Sequence, residues 1–413
     1  MKQKIYLSAP ALVCCAGQNR NELYESCLTG YQGGLVMSDM SSLGGISPHA
    51  INSGGKYPVG LVSQGLPEAA LEPAQSFDTK ANTENTKIIR IINAALEQLR
   101  PAVEKAIAQY GPRKIGVCLG SCDIGSEASL LAHRALCESK ALSTDYNFCF
   151  QFQSASLSTE FIMRKFGISG PALTVATACA SGSSAIVRGA ELIRAGHCDA
   201  VIAGGADIVT ETVFAGFRSL EAVSDSLTNP FSKNRKGINL GEGAAFFLLE
   251  SAKNSGVELL GTGESSDAYH MTAPGMDGTG PAQAMHAALL DAGISPDRIG
   301  YVNLHGTGTG LNDKAEALAM QMVFRALPPV SSTKPITGHT LGAAGALEAA
   351  ICWMVLHEQR GLPVHCWDGI RDEELPFSPV DGPNRETPSI CMSNSFGFGG
   401  CNVSLILGRC DDQ

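Results

Sequence analysis

The sequence predicts a layered α/β fold built from two related halves. Short apolar runs alternate along the chain with segments of helical spacing, an arrangement typical of α/β layers. The runs are continuously apolar, which indicates strands covered on both faces. A pattern of Thr, Cys or His, Gly and small residues also recurs at an offset of 160 residues, which indicates an internal duplication.

The predicted elements follow from these periods. The apolar runs predict strands at residues 114–120, 173–177, 200–204, 244–250, 301–304 and 402–407. Apolar residues at helical spacing predict helices at residues 85–105, 183–195, 281–292, 314–327 and 341–357.

Two pairs of motifs indicate the duplication. In the first pair, each motif joins a preceding segment to an Ala/Gly-rich helix: Thr177, Cys179, Gly182 and Ala185 match Thr337, His339, Gly342 and Gly345. The second pair is GEGAAFFLLE (241–250) and GFGGCNVSLILG (397–408), at nearly the same offset. Chance similarity of Gly-rich turns would explain the first pair alone, but the second pair in the same order favours duplication. We predict halves at residues 1–255 and 256–413, connected through AKNSGVELLGTG (252–263).

Composition excludes several classes of protein. Only 17% of the 413 residues are charged, against about 25% in an average soluble domain, and 44% are apolar, which excludes disorder. The net charge of −10 gives no general affinity for nucleic acid or anionic membranes. Residues 387–408 carry no charge, but their Asn, Gly and Ser argue against a membrane span.

Cysteine usage and the first residues predict a location. The 14 cysteines are scattered and form no CxxC pair, so we expect reduced thiols in a cytoplasmic protein. Residues 1–4 lead directly into a strand-like run, so we expect no signal peptide.

Cys179 differs from the other cysteines in its surroundings. In TVATACASG (174–182) an apolar run ends in a tight turn that carries Cys179, and a helix of small residues follows. Free N–H groups and the dipole at a helix N-terminus lower the pKa of a thiol and hold a developing oxyanion. Most cysteines are buried as small hydrophobic residues. The small neighbours of Cys179 leave room for a ligand, so it is the candidate nucleophile.

Two histidines lie in comparable settings, His305 in LHGTGTG (304–310) and His339 in KPITGHTLG (334–342). Each follows a strand-like run and is flanked by Gly and Thr, so a ligand can approach the imidazole closely. Neither lies in an HExxH or Cys/His ligand spacing, so we predict no metal site. HGTGTG also lacks the GK[ST] ending of a phosphate-binding loop.

A resemblance to a known family rests on four segments: TACASG (177–182), HGTGTGLND (305–313), KPITGHTLGAAG (334–345) and NSFGFGG (394–400). In this order they resemble motifs of the β-ketoacyl-acyl carrier protein synthases of the elongating, Cys-His-His type. CoA-primed synthases use Asn in place of the second His, and thiolases carry a second Cys in a C-terminal glycine loop. The N-terminal segment matches more loosely, which favours a secondary pathway such as polyketide or aryl-polyene synthesis.

The resemblance implies a thiolase-like fold, in which duplicated halves form five layers, αβαβα. It also implies a homodimer, with a heterodimer containing a related subunit as the alternative. The implied reaction is the decarboxylative condensation of an acyl thioester with malonyl-acyl carrier protein. No cofactor is implied beyond the phosphopantetheine of the carrier.

The family motifs also imply residue roles. Cys179 would form the acyl-enzyme, and the backbone N–H groups of Cys179 and Phe398 would hold the oxyanion. His305 and His339 would bind the enolate oxygen. Phe398, between two glycines, resembles a gate between the acyl pocket and the malonyl side.

Further residues are implied to support this set. Lys334, five residues before His339, would orient that histidine, and Glu316 would pair with Lys334. Thr307 and Thr309 would bind the pantetheine arm. Glu348, in an otherwise apolar helix, needs a partner, and we expect backbone donors or a monovalent cation.

The carrier protein is acidic, and the residues considered for its docking are Lys80, Lys87 and Arg90. A solvated helix face is the alternative interpretation of these three residues.

Two alternative functions also stay open. One is a non-condensing subunit that binds carrier protein for another synthase, which the presence of Cys179 disfavours. The other is acyl transfer or thioester hydrolysis without decarboxylation.

Overall fold

The computed structural model describes residues 2–39, 55–62, 66, 86–122, 125–127, 129–130, 136, 153–253, 256–375, 379 and 382–410. Its strands are β1 (Tyr6–Leu7), β2 (Ala11–Cys14), β3 (Val36–Asp39), β4 (Lys56–Val59), β5 (Ile115–Gly120), β6 (Ala172–Val175), β7 (Ala200–Asp207), β8 (Gly243–Glu250), β9 (Val257–Ser266), β10 (Tyr301–Asn303), β11 (Val330–Ser331), β12 (Ile390–Gly397) and β13 (Cys401–Arg409).

The α-helices of the same residues are α1 (Arg20–Thr29), α2 (Lys87–Tyr110), α3 (Leu157–Phe166), α4 (Ser181–Arg194), α5 (Glu211–Ser219), α6 (Thr279–Ala292), α7 (Gly310–Val323), α8 (Lys334–Thr337) and α9 (Ala344–Glu358). Each strand and helix predicted from the apolar periods is present, with ends that differ by up to five residues.

Strand order repeats between the two halves. The first half runs β6-β5-β7-β8-β1 and the second runs β11-β10-β12-β13-β9. In each half the first three strands are parallel and the fourth is antiparallel to the third. β1 lies antiparallel to both β8 and β9 and joins the halves. This repeat is what the duplicated motifs predict, although the predicted residue bounds of the halves stay a prediction.

Three apolar clusters define the five predicted layers. On β8, Phe246 and Leu248 pack with α2, whereas Phe247 and Leu249 pack with α4 and α9. The opposite face of α4 and α9 meets the second half through Leu405, and α6 and α7 cover the far side of that half. The predicted αβαβα order is therefore present, and both halves of the sheet are covered on both faces.

The segment predicted to connect the halves is different in the structure. From Val257 onward it is β9, which pairs with β13 in the middle of the sheet. Gly261 and Gly263 make this strand look like a loop, but α6 lies directly against it. A Cβ added at Gly263 would lie 2.0 Å from the carbonyl oxygen of Ala284, so only glycine fits.

The helical stretch Leu341–Glu358 has the length and apolarity of a membrane-crossing helix, but 89% of it is buried in the protein. It belongs to the central layer. Together with β12, it positions residues of the second half at the site. β12 was not predicted, because Ser393, Asn394 and Ser395 are polar, although all three are buried.

Candidate active site

Cys179 stands in the tight turn between β6 and α4. The turn is closed by Ser181, whose Oγ accepts a hydrogen bond from the N–H of Thr177 at 2.9 Å and donates to the carbonyl of Ala178 at 2.6 Å. Ala178 adopts a left-handed backbone with φ of 49°, which is uncommon for a residue with a side chain. Gly338, which precedes His339, is also left-handed with φ of 70°. Equivalent turns of the two halves therefore present the thiol and one imidazole.

The predicted catalytic residues meet in one buried cluster. The Nε2 atom of His339 lies 3.1 Å from the Sγ atom of Cys179. The ring of His305 meets the ring of His339 edge to face, with 5.5 Å between centroids. The main chain of His339 is held on both sides. Its N–H donates to the Asn239 carbonyl oxygen at 2.7 Å, and its carbonyl oxygen accepts from the Gly241 N–H at 3.0 Å. Sequence reasoning missed Asn239, because no local motif marks this pairing.

Lys334 is also buried and reaches His305. Its Nζ atom lies 3.3 Å from Nδ1 of His305 and 2.5 Å from the carbonyl oxygen of the same residue. An ammonium only donates hydrogen bonds, so Nδ1 of His305 accepts and the ring proton lies on Nε2. Lys334 therefore orients His305, and not His339 as expected, and it leaves the Nε2–H of His305 for a ligand.

The carboxylate that pairs with Lys334 is Glu348 and not Glu316. Nζ of Lys334 lies 2.5 Å from Oε1 of Glu348. Glu316 instead accepts the backbone N–H groups of His305 and Gly306 at 2.8 and 2.7 Å. Because those two donors occupy its oxygens, Glu316 fixes the His305 loop, and the expected pairing of Glu316 with Lys334 is wrong.

Glu348 has one partner that was not predicted and one oxygen left over. Lys334 takes the place of the expected backbone donors. The Oε2 atom of Glu348 is buried without a hydrogen-bond partner. The same is true of Oδ1 of Asn303 and Oγ of Ser393. Asn303 and Ser393 are paired across β10 and β12. These are oxygen ligands of the kind that bind monovalent cations.

Burial sets the ionisation of the cluster. Burial, with the Lys334 ammonium adding to it, lowers the pKa of both His305 and His339 well below the usual value, so both imidazoles are neutral at pH 7. Burial raises the pKa of the Cys179 thiol to about 11, which Lys334 and the Phe398 N–H only partly oppose. Loss of solvent therefore opposes the lowering of the Cys179 pKa that the sequence predicts.

Phe398 begins the short turn Phe398–Gly400 after β12, and its backbone N–H is directed at the Cys179 thiol. Gly397 lets the two main chains approach: a Cβ there would lie 3.1 Å from the Cys179 nitrogen. The Phe398 ring is half-buried and packs on Phe217, 5.5 Å away. The chain reverses direction at Gly399, whose φ is 81°.

A cavity of about 420 Å³ leads to this cluster, lined by Cys179, His305, His339, Phe398, Thr307 and Thr309, among others. The hydroxyls of Thr307 and Thr309 lie 2.9 Å apart. Among the described residues, no group of three or more His, Cys, Asp or Glu is placed to hold a metal ion.

The basic residues considered for carrier docking are not brought together as a free surface. Lys80 lies outside the described residues. Nζ of Lys87 lies 2.7 Å from the buried carboxylate of Glu242, and Arg90 donates to the Leu66 carbonyl at 2.7 Å. Both charges make internal contacts, and carrier docking at Lys87 and Arg90 stays a prediction.

Comparisons with known proteins show the family of this chain. Models of the N-terminal and C-terminal domains of β-ketoacyl synthase match residues 56–255 and 257–365. The 3-oxoacyl-[acyl-carrier-protein] synthase 2 of Vibrio cholerae is 40% identical over 320 residues, which cover 72% of this chain and 76% of the relative. The protein of the same name from Coxiella burnetii is 29% identical, with 100% of both chains covered.

Solved structures are similar over nearly the whole chain. One is a ketosynthase in complex with its chain length factor from Xenorhabdus doucetiae, with a TM-score of 0.89 and 37% identity over 99% of this chain and 98% of the matched chain. Another is a β-ketoacyl synthase from Burkholderia phymatum, with a TM-score of 0.83 and 28% identity over 100% of both chains.

Proposed function

The chain belongs to the β-ketoacyl synthase family, and from that membership we propose how its residues carry out the reaction. The enzyme is an elongating acyltransferase that condenses an acyl thioester with malonyl-acyl carrier protein. One observation supports the residue assignment most strongly: the Cys179 thiol, two neutral imidazoles and a buried lysine meet at the end of one cavity.

The first step is acyl transfer to Cys179. Its sulfur attacks the thioester carbonyl, the bond to the pantetheine sulfur breaks, and the thiol proton passes to that leaving sulfur. The Nε2 atom of His339 lies 3.1 Å from the Cys179 sulfur, and its N–H would stabilise the negative charge that develops on that sulfur as the proton leaves. The N–H groups of Cys179 and Phe398 hold the tetrahedral oxyanion.

The second step is decarboxylation of the malonyl group. Breaking the C–C bond to the carboxylate releases carbon dioxide and leaves an enolate whose oxygen needs hydrogen-bond donors. His305 offers its Nε2–H, since Lys334 occupies Nδ1, and His339 offers its Nε2–H. Neutral donors suit this step, because they stabilise the enolate without protonating its carbon.

Condensation then joins the two units. The enolate carbon attacks the acyl carbonyl on Cys179, the same two N–H groups hold the oxyanion, and the Cys179 sulfur leaves. The β-ketoacyl product stays on the carrier and is two carbons longer. Thr307 and Thr309 line the cavity where the polar pantetheine arm would extend. No cofactor takes part beyond that arm.

A monovalent cation would fit beside Lys334 in a structural role. Oε2 of Glu348, which is buried without a hydrogen-bond partner, would be one of its ligands, and the charge of the cation would offset the Glu348 carboxylate. Burial raises the pKa of Glu348 to about 7, so a nearby cation would favour its ionised form.

A second subunit would cover the β6 edge. β6 ends the sheet, and Ala172 and Leu173 are exposed there, with 39% of Leu173 accessible. An open edge next to the nucleophile turn suits pairing with another chain. The partner would be a second copy or a related subunit, and two similar structures that contain chain length factors support the latter.

The cytoplasmic location of the protein also stays a prediction.

The pathway we favour is polyketide or aryl-polyene assembly, which the loosely matching N-terminal segment predicts; two similar structures contain a chain length factor beside the ketosynthase. The test of the proposed function measures carbon dioxide and β-ketoacyl product from acyl- and malonyl-carrier, with the chain alone and after coexpression with a candidate chain length factor. Product and carbon dioxide in equal amounts support condensation. Free acid without carbon dioxide would indicate hydrolysis, and neither product nor acylated Cys179 would indicate a non-condensing subunit.

A further inference from the structure

Asp207, at the end of β7, is fully buried and bonds across the boundary between the halves. Its Oδ1 atom accepts from the Ser121 hydroxyl at 2.9 Å. Its Oδ2 atom accepts from the N–H of Cys122 at 2.9 Å and from the N–H of Gly342 at 2.6 Å. Ser121 and Cys122 follow β5 in the first half, whereas Gly342 belongs to the second half, three residues after His339.

The turn that contains Gly342 has no free space. A Cβ at Gly342 would lie 2.6 Å from Oδ2 of Asp207, and a Cβ at Gly205 would lie 2.5 Å from the Gly342 carbonyl oxygen. A Cβ added at Gly182, three residues after Cys179, would lie 2.8 Å from the same carbonyl oxygen. The turns after the nucleophile and after the histidine therefore touch each other beside the Asp207 carboxylate.

Leu341, next to Gly342, has a left-handed backbone with φ of 52°. A side-chain-bearing residue keeps that conformation only where its surroundings hold it there. The hydrogen bond from the Gly342 N–H to Asp207 is one such restraint, and it acts three residues from His339.

We infer that Asp207 is a positioning residue, which holds the turn after His339 against the nucleophile turn and thereby sets the contact of His339 with Cys179. The inference rests on the proposed roles of those two residues. Asp207 touches neither reacting atom. Its charge also faces Cys179, together with Cys122 from the first half and Lys334 and His339 from the second.

The test replaces the charge while keeping the shape. In Asp207→Asn, one acceptor becomes a donor that faces N–H groups, so the turn shifts, and we expect condensation turnover to fall about 10²-fold. Loss of the negative charge also lowers the pKa of Cys179, so alkylation of Cys179, followed by peptide mass spectrometry, moves to lower pH. Asp313→Asn is the control, a buried carboxylate that holds the N–H groups of Phe231 and Gly308 and leaves the alkylation profile unmoved.

Unchanged turnover in folded Asp207→Asn, or lost turnover with an unmoved alkylation profile, would overturn the inference. If this variant does not fold, Gly342→Ala displaces the same turn and keeps the Asp207 charge. Wild-type turnover in Gly342→Ala would also overturn the inference. Gly256→Ala, where a methyl meets open space, controls for the added carbon. Failure of the proposed function is separate, since it would show as absent acylation in the wild-type protein.

Discussion

The Nε2 atom of His339 lies 3.1 Å from the Sγ atom of Cys179, although the two residues are 160 positions apart. Each follows a left-handed residue, Ala178 or Gly338, and each precedes a helix of the central layer. The duplication therefore explains the site, because one turn, used twice, supplies a nucleophile from one half and a hydrogen-bond donor from the other.

The pH dependence of Cys179 reactivity follows from its burial. Because burial raises the thiol pKa to about 11, the thiolate fraction grows as pH rises, and alkylation by iodoacetamide should increase about tenfold per pH unit from neutral pH upward. Peptide mass spectrometry measures the rate at Cys179, and Cys179→Ala gives the background from other thiols. A rate that levels off near neutral pH would contradict this prediction.

Replacing His305 should separate the two chemical steps. His305→Ala removes one enolate donor but leaves the contact of His339 with Cys179, so acylation persists while carbon dioxide release falls about 10²–10³-fold. His339→Ala should slow both steps, because His339 contacts the thiol as well. The exposed His197→Ala is the matched control. Equal loss of acylation and decarboxylation in His305→Ala would count against the assignment.

The oxyanion role of Phe398 concerns its backbone and not its ring. Phe398→Pro removes the N–H, and the backbone accepts proline there, because Gly397 is extended with φ of −99° and ψ of 159°. We expect acyl transfer to fall about 10²–10³-fold. Phe398→Ala keeps the N–H and should lose far less in the same single-turnover assay. Equal rates in the two variants would refute the role.

The contact between β9 and α6 predicts a stability effect. A methyl at Gly263 would lie 2.0 Å from the Ala284 carbonyl oxygen, so Gly263→Ala should lower the free energy of unfolding by about 1–3 kcal/mol or more. Gly216→Ala, inside α5 with open space around it, should be neutral or raise that free energy by about 1 kcal/mol. Urea titration measures both, and equal stabilities would disprove the packing.

The sequence was most informative where the chemistry is local. Cys179, His305 and His339 each stand in a strand, turn and helix pattern that is visible within ten residues. The buried runs of β5, β7 and β8 are continuously apolar, so their fold position follows from hydrophobicity alone. The duplication then predicts that equivalent turns face each other.

What the sequence could not predict depends on contacts between distant segments. Spacing alone does not decide whether Glu316 or Glu348 reaches Lys334, because that depends on which side of each helix faces the cluster. Lys87 looks like a surface cation, yet its partner Glu242 is 155 positions away and buried. β9 looked like a connection, because glycines that admit α6 also resemble loop residues.

The most direct test of the account is the intact mass of the protein after incubation with an acyl-carrier thioester. We predict one acyl addition, located at Cys179, absent from Cys179→Ala and retained in the Cys366→Ala control. Malonyl-carrier should then discharge the acyl group as carbon dioxide is released. Absence of the added mass, or the same mass in Cys179→Ala, would contradict the central claim.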